Sequence, residues 1–181
     1  HDRHADADYR RLRDVGIRGA RDAIRWPLVD RGGGRYDFRS VLPVLEAAAR
    51  HRVTVIWDLF HYGYPVGVDL LSEAFLRRFA DYCGACARYL RPRTDGPLWF
   101  TPVNEPSFFA WAAGHDAQFA PHWRGQAQAL KVALVRAALQ GMRAIRAGLN
   151  RLCFCRRVSR FDPLIYSMTM HGPCGSARVA S

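Results

Sequence analysis

Hydrophobic and polar positions change period several times along the chain, and each change marks an element. Residues Tyr9 to Val15 read as the end of a helix that Gly16 stops, and Ile17 to Trp26 alternates like a strand. A helix is predicted from Ser40 to Arg50, with Ser40 as N-cap and Val41, Leu42, Val44, Leu45 and Ala48 on one face. Val53 to Leu59 is a nearly unbroken β-favouring run of the kind found in strands buried on both faces, so a parallel sheet is expected. Helical spacing returns from Leu71 to Leu90, opened by Ser72 and carrying Phe75, Leu76, Phe79, Tyr82, Cys83 and Cys86, until Pro92 and Gly96 break it. Leu98 to Val103 reads as a short strand, the stretch up to Trp123 as a loop, and Gln126 to Ala147 as a long alanine-rich helix. Strands alternating with helices predict βα units with right-handed crossovers and an α/β architecture. This pattern alone leaves an open sheet and a closed barrel as alternatives. Gly32, Gly33 and Gly34 lack the spacing of a dinucleotide-binding turn, which counts against that fold.

Composition narrows the function classes. With 49% hydrophobic and 12% aromatic residues in 181, the chain has enough apolar surface for a core, which excludes a disordered chain. No window is long and apolar enough for a membrane helix, and the first residues lack the order of a signal peptide, so a cytoplasmic protein without a membrane partner is expected. The net charge of +11 raises polyanions as partners. Its source is almost pure arginine, with Lys131 the single lysine, and the arginines are scattered with no basic run of interleaved aromatics; no nucleic-acid partner is expected. Five cysteines are an odd number, and the C-x-x-C of Cys83 and Cys86 falls inside a helical pattern, so neither a disulfide framework nor a metal or redox site is expected.

Polar groups cluster where strands end: Arg25 and Trp26, then His61, then Asn104 and Glu105. Chemistry at strand C-termini is the mark of (β/α)8 barrels. The string Thr101, Pro102, Val103, Asn104, Glu105, Pro106 resembles the strand-four motif of family 1, β-glucosidase-like retaining glycoside hydrolases. Arg21, Ile24 and Trp26 match that family's second strand, His61 its sugar-binding histidine, and Gly114, Phe119, Ala120 and Pro121 the loop beyond the motif. The resemblance, which covers roughly residues 6 to 148, implies a partial (β/α)8 TIM barrel of about strands two to four or five with their helices. It implies Glu105 as general acid/base, a carbohydrate substrate, no cofactor and no metal. Asn104, His61, Arg21, Arg25, Trp26, Tyr62 and Trp111 become the expected substrate contacts, the aromatics as flat faces for sugar rings. A low-polarity pocket from Phe108, Phe109 and Trp111 is expected around Glu105, and Arg21 and Arg25 are expected on one strand face by the period of two. The sequence departs from the family at Arg25, at Tyr62 and Gly63, and in the extra residue of the Thr101 to Pro106 string.

Retaining hydrolysis needs a second carboxylate as nucleophile, about 5 to 5.5 Å from the first. The chain has three glutamates, of which Glu46 and Glu73 fall on predicted helices, and only Asp116 and Asp162 are acidic beyond Glu105. The nucleophile is therefore expected outside this chain, and the chain by itself is expected to be inactive. Residues 1–150 read as part of one barrel domain. From 151 to 181 the text is atypical, as a frameshift or truncation would make it, apart from a candidate fifth strand at Phe161 to Tyr166. A non-catalytic carbohydrate-binding remnant and a polyanion-binding module are the alternative functions.

Overall fold

The computed structural model describes residues 2–153; the atypical tail beyond them and its candidate strand lie outside the described residues. The elements in chain order are α1 (Ala5–Asp14), β1 (Gly19–Ala23), α2 (Trp26–Val29), α3 (Leu42–His51), β2 (Thr54–Asp58), α4 (Glu73–Leu90), β3 (Trp99–Thr101), α5 (Pro106–Gly114) and α6 (Ala127–Cys153). Local chemistry accounts for several boundaries. Gly16, at φ 84°, closes α1, with the Gly16 amide bonded to Arg13 and the Ile17 amide reaching back to the Leu12 carbonyl. Ser72 caps α4 by accepting from the Phe75 amide at 3.1 Å.

The three strands form one parallel sheet in the order β1-β2-β3, with Arg21 opposite Ile56 and Asp58 opposite both Ala23 and Thr101. One face is packed: Val55, Trp57 and Phe100 join the core formed with α3 and α4. The other face is more open, with Arg21 exposed and Ile56, Trp99 and Thr101 half-buried. The interior of the α layer is aromatic. Trp26 lies among Phe60, Phe75, Phe79 and Tyr82, its ring centroid 5.2 Å from Phe79 and 5.4 Å from Tyr82. Small residues bring α4 and α6 together: a Cβ on Gly141 would sit 3.0 Å from Cys83 Sγ, and one on Gly148 3.0 Å from the Gly84 carbonyl. Cys83 and Cys86 are buried packing residues of α4, and burial pushes both thiols up.

Three expectations are corrected here. Ser40 does not cap α3, whose N-cap residue is Val41, without a side-chain cap, and whose first turn holds Pro43. The strand predicted to Trp26 ends at Ala23, because Pro27 is at the start of α2 and the chain turns into that short helix at Trp26. The stretch read as a loop up to Trp123 contains α5, started by Pro106 and held by Ala and aromatic residues with Phe109, Ala110, Ala112 and Ala113 buried. Among the described residues no helix is long and apolar enough to cross a membrane.

Candidate functional site

The ends of β2 and β3 are neighbours because the strands pair in parallel, and the turns leaving them carry two linked polar groups. The first is centred on Asp58, the last residue of β2, 1% exposed. Its Oδ2 lies within hydrogen-bond distance of His61 Nδ1, at 3.0 Å, and faces Arg21 Nε at 3.4 Å. Burial pushes the Asp58 carboxyl up, and His61 and Arg21 hold it back. Asp58 Oδ1 is buried with no hydrogen-bond partner among the described residues.

The second group is a donor chain. Asn104 Nδ2–H donates to Tyr62 Oη at 3.0 Å, and Tyr62 Oη–H donates to Glu105 Oε2 at 2.5 Å. Burial, followed by the hydrogen bond to Glu105 and the Glu105 charge, pushes the Tyr62 phenol well up, so it stays protonated as a donor. Asn104 is 2% exposed, anchored by its amide to the Phe60 carbonyl, and its Oδ1 lacks a partner among the described residues. The His61 and Tyr62 rings, 4.8 Å apart, join the two groups.

Backbone strain coincides with this site. Tyr62 (φ 69°) and Glu105 (φ 41°, ψ 59°) both occupy the left-handed region, although neither is glycine. For Glu105 the conformation is doubly unusual, because a residue before proline favours extended backbone. Glu105 is the N-cap residue of α5, which Pro106 begins.

Four of the expected substrate contacts, Arg21, His61, Tyr62 and Asn104, occur in this neighbourhood with the expected acid/base, Glu105. Trp111 stands on the following helix, 44% exposed, its ring 5.8 Å from Phe108, which is itself 41% exposed. Three expectations about surroundings change. Trp26 is 1% exposed and donates its Nε1–H to Asp30 Oδ2 at 3.0 Å, so it is a core side chain with no face for a sugar. Arg25 lies beyond the end of β1 as the residue preceding α2, so the shared strand face does not reach it; it lines a cleft with Asp22, Ser40, Val44 and Trp57. Glu105 is exposed, not enclosed in an apolar pocket, because Phe109 turns into the core while Phe108 and Trp111 face outward. Tyr62 packs its ring against Phe108, Phe109 and Phe119 and uses its hydroxyl on Glu105, an arrangement for holding a carboxylate more than for stacking.

Asp58 was absent from the candidates read from sequence. The available signal was an acidic residue closing an otherwise apolar strand run three positions before His61.

The fold is similar to that of family 1 β-glucosidases. The family 1 β-glucosidase from Thermotoga maritima matches with a TM-score of 0.74 at 19% identity, over 83% of this chain and 35% of that one. The β-glucosidase from Thermotoga maritima in complex with cyclophellitol matches at 0.72 and 19%, over 82% and 36%. The AHE enzyme from Alicyclobacillus herbarius matches at 0.72 and 19%, over 82% and 34%. The chain spans about a third of the length of these structures. No family model and no curated protein matches the sequence. Among the described residues no three His, Cys, Asp or Glu side chains gather as a metal site.

Proposed function

We propose that this chain is a segment of a (β/α)8 glycosidase barrel, comprising the barrel's second to fourth strands, and that Glu105 is the general acid/base of a retaining double displacement on a β-linked glycoside. The observation that carries this reading is the convergence of His61, Tyr62, Asn104 and Glu105 at the C-terminal ends of two adjacent parallel strands, the end at which barrel enzymes place their chemistry. The likeness in fold to β-glucosidases supports it.

In this scheme Glu105 protonates the departing glycosidic oxygen and then, as a base, activates the water that completes hydrolysis. Its exposure lets a substrate reach it, and the Tyr62 hydroxyl fixes one carboxylate oxygen so that the other faces the substrate. His61 hydrogen-bonds a sugar hydroxyl, the buried Asn104 serves the site by donating to the Tyr62 hydroxyl, and the exposed Phe108 and Trp111 offer ring faces for a second sugar or an aglycone. Asp58 is the other carboxyl of the cluster, but it is buried and engaged by Arg21 and His61, so we do not assign it as nucleophile. The chain by itself therefore binds carbohydrate and does not turn it over.

Titration with an aryl β-glucoside, followed both by calorimetry and by release of the aryl group, tests the proposal. The expected result is saturable binding with a Kd on the order of 1 mM, retained by Glu105→Gln, with no aryl release. Absence of binding sinks the carbohydrate reading. Aryl release that Glu105→Gln abolishes overturns the claim of inactivity and places a nucleophile within the chain.

A further inference from the structure

The scheme above leaves Asp58 without a role, yet a buried carboxylate is a costly feature that needs compensation by charge and hydrogen bonds. Both of its partners are accessible, Arg21 with 49% and His61 with 43% of the side chain exposed, so the His61 ring extends from the buried carboxylate to the open side. An imidazole that donates Nδ1–H to a carboxylate carries no proton on Nε2 in its neutral form, so the outer nitrogen presents a lone pair. Beside it, Tyr62 has committed its hydroxyl proton to Glu105, and the buried Asn104 has committed an amide proton to Tyr62.

We propose that Asp58 is a positioning residue: its buried carboxylate holds His61 in the Nδ1–H tautomer and fixes the ring, so that Nε2 accepts a hydrogen bond from a hydroxyl of the bound carbohydrate. This rests on the carbohydrate reading for the role of Nε2, and on the observed 3.0 Å contact alone for the tautomer. The outer nitrogen of His61 then offers an acceptor to a ligand that carries O–H donors. Asp58 touches no substrate in this scheme and acts through His61. Arg21, facing the same Oδ2, favours the charged form of the carboxylate against its burial.

The tautomer is read directly from multiple-bond proton–nitrogen correlation spectra of the labelled protein at alkaline pH, with His61 assigned by its loss in His61→Gln. The unmodified protein is expected to show Nδ1 protonated and Nε2 bare. Asp58→Leu is expected to lose this form in favour of Nε2–H, the tautomer unconstrained histidine prefers, and Asp58→Asn, whose amide oxygen still accepts, is expected to restore it. Binding of the aryl β-glucoside is expected to weaken about tenfold in Asp58→Leu. A predominant Nε2–H form in the unmodified protein, or an unchanged tautomer in Asp58→Leu, overturns the proposal. If Asp58→Leu does not fold, the spectrum of the unmodified protein still decides the tautomer. A bare Nε2 together with no glucoside binding upholds the Asp58–His61 assignment and removes the carbohydrate reading.

Discussion

Glu105 and Tyr62 are held in a conformation that costs a non-glycine residue on the order of 1 kcal/mol or more. Such strain persists only where surrounding structure imposes it, and here Pro106, α5 and the Tyr62 hydroxyl do so. Glu105→Gly and Glu105→Ala both lose the Tyr62 bond, so the glycine variant is expected to be the more stable of the two by about 0.5 to 1 kcal/mol. Equal urea midpoints for the two variants would show that the turn is unstrained. Tyr62→Phe keeps the ring packing but deprives the buried Asn104 amide of its acceptor, and a loss of about 1 kcal/mol is expected. An unchanged midpoint would mean that Asn104 is satisfied in another way.

The helices behind the site meet at glycines, and the neighbour of each glycine sets the cost of filling the space. A Cβ on Gly114, the last residue of α5, would lie 2.9 Å from Ala127 Cα and 3.0 Å from Ala127 N, both backbone atoms at the start of α6. Gly114→Ala therefore forces the two helices apart, with an expected cost of about 2 to 3 kcal/mol. At Gly141 the obstacles are Cys83 Sγ at 3.0 Å and Phe79 Cε1 at 3.3 Å, side-chain atoms with some freedom to shift, so Gly141→Ala is expected to cost about 1 kcal/mol. Thermal melts of the two variants should rank in that order, and the reverse ranking would contradict the packing described. Because α5 follows Glu105 directly, Gly114→Ala is also expected to disturb the site more than Gly141→Ala does.

Across the whole molecule, Asp30 ties the end of α2 to α4. Burial alone would push this carboxyl up, but Arg78 Nε at 2.7 Å, the Gly32 amide and Trp26 Nε1 together hold it below the ordinary value. A carboxyl depressed in the folded state contributes stability that is fully present above its unfolded value, near 4, and is lost as pH falls through the folded value. Urea midpoints are therefore expected to fall as pH drops below about 5, and Asp30→Asn, already weakened at neutral pH, to show a smaller part of that fall. An identical acid profile in the variant would remove Asp30 from the account. The open sheet face, with Ile56 and Trp99 half-buried, and the outer edges of β1 and β3, unpaired among the described residues, are expected to drive association. Sedimentation over a range of concentrations should show it, with Ile56→Lys reducing it; a monodisperse monomer at high concentration would exclude it.

What could be read from the sequence is what depends on neighbours along the chain. The apolar stripe and Ser72 cap of α4, the β-favouring run of β2, the glycine ending α1 and the placement of Asn104 and Glu105 just past a strand are all local patterns, and the structure shows each of them. The packing of Trp26 was not legible, because an aromatic at a strand end is equally suited to a ligand and to a core, and its indole is buried by Phe75, Phe79 and Tyr82 of α4, a helix that begins some way down the chain. Nor was α5, whose aromatic and alanine mixture lacks a strong amphipathic period because most of its surface is buried. The hydroxyl that holds Glu105 comes from Tyr62, and the arginine facing Asp58 comes from β1. Such pairings exist only once parallel strands bring their ends together, so the sequence determined which groups the site could contain, and the tertiary structure decided which of them touch.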